Sequence, residues 1–158
     1  MRLLLVAVGR MKAGPEAELA ERYRDRAIKA GRPLGVRSLD IAVIDESRQP
    51  AAEARKAEEA AAIRRLRSGR LVLFDERGRS LSSEDFARLI GTWKDGGEEA
   101  ATFVIGGPDG LDPSLGGEAD LVLSFGAMTW PHQIVRILAL EQLYRAVTIL
   151  AGHPYHRP

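Results

Sequence analysis

His132, His153 and His156 are the only imidazoles in this 158-residue sequence, and no cysteine accompanies them. An imidazole titrates near pH 6.5, which suits it to taking or giving a proton at neutral pH. His132 lies in Met128-Thr129-Trp130-Pro131-His132-Gln133, and the other two lie in the tail His153-Pro154-Tyr155-His156-Arg157-Pro158. A metal centre does not follow from these residues. His153 and His156 sit three apart beside prolines, His132 is distant, and nothing has the spacing of a zinc motif. No serine stands in a G-x-S-x-G elbow, so acyl chemistry of that type is not indicated. His132, directly after Pro131, reads equally well as a first-turn helix residue, and Tyr144-Arg145 as interface packing.

A second candidate is the loop Gly106-Gly107-Pro108-Asp109-Gly110-Leu111. Glycines after a strand let the backbone approach a ligand closely. A dinucleotide fingerprint needs G-x-G-x-x-G opening a helix, whereas here a proline interrupts and Asp112-Pro113 follows. There is no Walker-type lysine either. On its own the loop fits a ligand contact or a tight turn.

These residues need a frame. Residues 2–8 form a continuous apolar run ended by Gly9, the pattern of a strand buried on both faces. Gly14-Pro15 opens a helix carrying Leu19, Tyr23 and Ala27, which Gly31 closes. Residues 36–45 alternate as a second strand, and residues 50–67 are an alanine-rich helix with Glu and Arg outward. A third strand covers residues 70–74. Ser82 and Asp85 make a capping box for a helix through Phe86, Leu89, Ile90 and Trp93. Residues 102–105 and 121–125 are further strands. The last helix, from Ile134 through Leu150, is apolar over most of its circumference and predicts cover on more than one side, including a second subunit. Strands alternating with helices predict an α/β fold, a mostly parallel sheet with helices on both faces. No repeat, low-complexity tract or linker divides the chain, so residues 1–158 read as a single domain.

Composition bounds the function further. Apolar residues make up 45% and charged residues 28%, an ordinary globular balance. The absence of cysteine fits a reducing, cytoplasmic setting. Residues 3–8 are too short a run to span a bilayer and lack a cleavage site after them, so they are a strand rather than a signal peptide. A formal net charge of +1 excludes a generally basic nucleic-acid-coating protein. Arg22, Arg24 and Arg26, and Arg64, Arg65, Arg67 and Arg70, cluster on helices and read first as solvated faces.

Four ordered segments carry a resemblance: 103–110, Met128-Thr129-Trp130-Pro131-His132-Gln133, Glu141-Gln142-Leu143-Tyr144-Arg145-Ala146, and the tail Pro154-Tyr155-His156-Arg157. Together they closely resemble the RlmH family, SPOUT-class methyltransferases acting on a pseudouridine of 23S ribosomal RNA. The resemblance covers the whole chain. It implies a C-terminal trefoil knot, which no periodicity could have indicated. It also implies a homodimer, S-adenosylmethionine as methyl donor and the ribosome as partner. It places the cofactor at Phe74, Gly106, Phe125, Gly126, Ala127, Met128, Thr129 and Trp130. The acceptor it implies is N3 of pseudouridine, an imide nitrogen that must lose a proton. His132, Tyr155, His156 and Arg157 are the catalytic candidates, with His132 and His156 both eligible as the base. Arg157 can instead hold phosphate or an imidate oxygen. Two other classes stay open: a non-catalytic ribosome-binding module of the same fold, and a nucleotide-binding regulator that uses the glycine loop.

Overall fold

The computed structural model describes residues 1–158. Strands β1 (Arg2–Val8), β2 (Ser38–Ile44), β3 (Arg70–Arg79), β4 (Ala100–Ile105) and β5 (Leu121–Leu123) interleave with helices α1 (Pro15–Gly31), α2 (Ala52–Leu66), α3 (Ser83–Asp95) and α4 (His132–Leu150). The strands form one parallel sheet in the order β2-β1-β4-β3-β5. Period-two alternation sends successive side chains to opposite faces. Leu3, Leu5, Phe74, Phe103 and Ile105 join α1, α3 and α4 in one core. Val6, Val8, Leu71, Leu73 and Val104 meet Ala60 and Ile63 of α2, with Leu111 and Leu115, in the other. The expected α/β sheet with helices on both faces is what the chain forms.

Helix α4 packs against α1 and α3. Past Gln133 none of its residues is fully exposed. Gly91 of α3 makes room for Leu150, whose Cδ2 would lie only 2.8 Å from a Cβ there. The cover predicted for α4 therefore comes largely from its own chain. Ile134, Leu138, Glu141, Arg145 and Ile149 are among the residues that stay half-buried, and they fall at helical spacing.

Local differences have physical causes. Helix α1 ends at Gly31 as expected, but Gly31 is right-handed and supplies no left-handed cap. The chain continues as a short 3-10 turn to Gly35, whose φ of 87° makes the left-handed stop. Ser82 does cap α3, accepting the Asp85 N–H at 3.0 Å. Glu59, read as an outward residue of α2, is buried instead and accepts the Ser47 N–H. Strand β3 does not end at Phe74. After a register shift it pairs again at Arg79 with Leu123. The intervening Asp75-Glu76-Arg77-Gly78 crosses the end of β5, where Ser124 N–H donates to Arg79 O at 2.9 Å. Gly78 permits the crossing, since a Cβ there would sit 2.7 Å from the Val122 carbonyl carbon and oxygen. Strand β5 accordingly stops at Leu123, two residues earlier than its apolar pattern suggested.

Candidate active site at the carboxyl ends of the strands

In open α/β sheets, ligands bind beyond the carboxyl ends of the strands. Here a cavity of about 490 Å³ opens at the ends of β3, β4 and β5. Its walls include Phe74, Asp75, Gly106, Leu111, Phe125, Gly126, Met128, Thr129, Trp130 and His132. Of the expected cofactor residues only Ala127 is not part of the lining. The catalytic candidate His132 is on the rim, and Tyr155, His156 and Arg157 are elsewhere.

One wall is firmly built. Phe74 and Phe125 stack with centroids 5.0 Å apart and planes 10° from parallel. Ser124 braces the turn after β5. Its hydroxyl accepts the Gly126 N–H at 3.0 Å and lies 3.1 Å from Glu76 O. Gly126 has φ 114°, which a side chain would strain. The facing wall is looser, with Met128 75% and Trp130 42% exposed.

The glycine loop is tied down by a device that spacing does not reveal. Arg55 of α2 grips Asp109 through Nε and Nη2 at 2.7 and 3.0 Å, and donates to the Gln49 and Pro50 carbonyls. That guanidinium holds the Asp109 carboxyl below the usual carboxylate range. Beneath the loop, burial pushes the Glu59 carboxyl above its ordinary value. A Cβ on Gly107 would come within 3.0 Å of Val8 Cγ1 and 3.4 Å of Glu59 Oε1. The glycine therefore lets the loop settle onto this support. Asp109 belonged to a recognisable motif, but nothing local identified Arg55 or Glu59 as its supports.

Of the clustered arginines at the end of α2 and the start of β3, two are similarly occupied. Arg64 pairs with Glu118 and Ser114, and Arg70 with Glu98 and Asp120. Arg24 of α1 bonds Glu21 and Leu39 O. Arg64 fastens the segment before β5 to α2, Arg70 ties β3 to the segments before β4 and β5, and Arg24 ties α1 to β2. Arg22, Arg26 and Arg65 face solvent, and Arg67 keeps a buried Nη1 without a partner.

The tail turns back after the end of α4 and lies against Glu141 and Arg145 in the helix. His132 and Glu141 are nine residues apart, about 14 Å along the helix axis, and none of residues 153–157 lines the cavity. Tyr155 donates its hydroxyl proton to Glu141 Oε1 at 3.0 Å, and the Arg145 guanidinium lies 4.8 Å over the Tyr155 ring. Burial, then the Glu141 bond, raises the Tyr155 phenol well above its ordinary value. Arg145 Nη1 is 3.2 Å from His156 Nδ1. A guanidinium only donates, so Nδ1 must accept and the ring proton sits on Nε2. Nε2 faces Glu84 Oε1 at 2.7 Å and holds the Glu84 carboxyl below its usual range. His156 thus has both nitrogens engaged, while Arg157 is exposed and makes no hydrogen bond. The chain brings His132 to the cavity and keeps its own Tyr155, His156 and Arg157 away from it.

No cluster of His, Cys, Asp or Glu is arranged to hold a metal ion, and no helix is long and apolar enough to cross a membrane. The family model described as "Predicted SPOUT methyltransferase" matches residues 1–156. Similar proteins include two named Ribosomal RNA large subunit methyltransferase H. The one from Rhodopseudomonas palustris (strain HaA2) is 59% identical over 159 residues, and that from Bradyrhizobium sp. (strain BTAi1) 58%. In each case the match covers 99% of both chains. A distant likeness, 14% identical with TM-score 0.42, links 96% of this chain to 61% of the SpoU methyltransferase AviRb of Streptomyces viridochromogenes. It is too remote to bear on function. On the match of residues 1–156 and the full-length identity, the chain belongs to the SPOUT methyltransferase family.

Proposed function

We propose that the protein is an S-adenosylmethionine-dependent methyltransferase of large-subunit (23S) ribosomal RNA, with N3 of a pseudouridine as acceptor. The observation that carries this is kinship over 99% of both chains with proteins named as methyltransferases of large-subunit ribosomal RNA. The cavity fits the cofactor. At about 490 Å³ it is of ordinary ligand size, with apolar rings for an adenine and glycine-bearing turns whose backbone groups are accessible. Phe74, Gly106 and Phe125, with Gly126, Met128, Thr129 and Trp130, would hold it, and Ala127 would contribute only as a link in that turn. When bound, S-adenosylmethionine supplies an electrophilic methyl group on a positively charged sulfur.

The remaining work falls to the chain. His132 is exposed at the cavity rim, whereas the His156 lone pair is committed to Arg145. His132 is therefore the base we favour, its imidazole accepting the N3 proton as the new N–CH3 bond forms. Holding acceptor and donor in line contributes on the order of 7–11 kcal/mol. Because none of Tyr155, His156 and Arg157 lines the cavity of its own chain, they act in a homodimer, reaching the site of the second copy. The half-buried part of α4 that the tail leaves uncovered, at Ile134 and Leu138, is the surface for that contact. The passage of residues 75–79 over β5 supports the knotted path. A single-domain, cytoplasmic enzyme acting on the ribosome is the consistent setting.

The test is methylation of ribosomes that lack the modification, with mass mapping of the product nucleotide. A new methyl on a 23S pseudouridine is expected, and an unmethylated RNA would refute the proposal. S-adenosylhomocysteine should raise stability by about 2.7 kcal/mol at a hundred times its dissociation constant.

A further inference from the structure

The carboxyl edge of the sheet carries a second concavity, next to the first. About 550 Å³ in volume, it lies between the turn after β1, the start of α1 and the end of β2, and it is bounded by Arg10, Met11, Glu21, Val43, Asp45 and Arg136. Arg136 is only 6% exposed. One of its nitrogens donates to Gly9 O at 2.7 Å, and its Nε has no partner. The two carboxylates at the rim are already matched, Asp45 with Arg10 at 2.8 Å and Glu21 with Arg24 at 2.8 Å. Arg136 is left as a buried cation without a counter-charge. Folding tolerates such a charge at a cost unless an anion arrives to balance it.

Helix geometry says where that anion comes from. His132 and Arg136 are four residues apart and share a face of α4, about 6 Å apart along the axis. His132 borders the first cavity and Arg136 the second. A nucleotide whose base lies at His132 has its backbone within reach of Arg136. We propose that the second concavity is a phosphate site for the RNA, with Arg136 as a fixed fork and the exposed Arg10 as a movable second donor. A guanidinium fork matches phosphate oxygens two at a time. Arg10 is 81% exposed in its side chain, and its pair with Asp45 can be exchanged for a phosphate. The inference rests on the proposed activity toward RNA.

The test uses the full-length protein, a fluorescent transcript of a short ribosomal hairpin, and anisotropy across a range of KCl concentrations. S-adenosylhomocysteine binding and sedimentation are measured in parallel. Arg136→Met should keep S-adenosylhomocysteine affinity and melt no lower than wild type. It should bind the transcript at least about tenfold more weakly, with a log-affinity against log-salt slope smaller by about 0.7–0.9. Arg136→Lys should keep the slope and lose part of the affinity, and it carries the test if the Met variant fails to fold. Wild-type RNA affinity in either variant overturns the proposal. So does loss of affinity together with dissociation to monomers, since Arg136 would then balance a charge on the second copy. A wild-type protein that binds neither transcript nor S-adenosylhomocysteine fails the underlying activity instead.

Discussion

Gly78→Ala should cost far more than one carbon at a half-buried position ordinarily does. The added Cβ would fall 2.7 Å from Val122 C and O and 2.8 Å from Leu123 C. These are backbone atoms of a paired strand, so no side chain can swing aside to relieve the clash. Residues 75–79 must lift away from β5, which endangers the 2.9 Å bond from Ser124 N–H to Arg79 O. Overpacking costs about 1–3 kcal/mol and a lost hydrogen bond about 1 kcal/mol. Their sum, roughly 2–4 kcal/mol, corresponds to a melting point lower by about 5–15 °C in a chain of this size. Gly116→Ala is the control, because nothing lies within 4 Å of its added Cβ. It should stay within about 0.5 kcal/mol of wild type. Phe74, Asp75, Glu76 and Arg77 line the cavity, so Gly78→Ala should also weaken S-adenosylhomocysteine binding measured by calorimetry. Gly78→Ala melting alongside Gly116→Ala would refute the account of the crossing.

Other perturbations separate the remaining claims. Glu59→Gln should raise the melting point at pH 7, because burial lifts the carboxyl pKa above 4.5 and the ionised form opposes folding. The gain should vanish below about pH 4.5, where wild-type Glu59 is itself protonated in both states; a gain that persists there contradicts the burial argument. Asp109→Asn should weaken S-adenosylhomocysteine binding by loosening the Arg55 clamp. Because Asp109 has a lowered pKa, its clamp is complete above its ordinary 3.8 and fades as pH falls through the lower native value. Wild-type affinity in Asp109→Asn at pH 7 counts against the clamp. Mixing a His132→Ala protein with one lacking residues 153–158 should restore about a quarter of wild-type methylation, since half the dimers are mixed and one site in each is intact. A mixture no more active than its components excludes action of the tail across the dimer. Sedimentation at micromolar concentration should give a particle of twice 17.3 kDa, and a 17.3 kDa species alone would remove the dimer.

Much of the frame was legible because burial writes itself into composition. The uninterrupted run of β1 and the largely apolar circumference of α4 both declare elements covered on several sides. The glycine loop and the turn around Phe125 and Met128 were locatable because they follow strands. What escaped depends on partners remote in the chain. Asp75-Glu76-Arg77-Gly78-Arg79 has no alternation, so its return to β5 leaves no local trace. Glu59 looked like any outward glutamate on an alanine-rich helix until the Gly107 loop settled onto it. Arg136 is one polar residue in a largely apolar helix, and its missing counter-charge is a property of the other elements around it. That the tail lines no part of its own chain's cavity was also invisible, because motif order carries no spatial distance.

The stacked pair at Phe74 and Phe125 has a further consequence. Strands β3 and β5 present one stiff jaw to an incoming molecule, braced by Ser124, while the jaw at Met128 and Trp130 stands open to water. Little entropy remains to be lost on the first side, so capture should be governed by how far the second must settle. Amide exchange after ligand addition should therefore slow mainly across residues 127–133, with the opposing strand ends already protected.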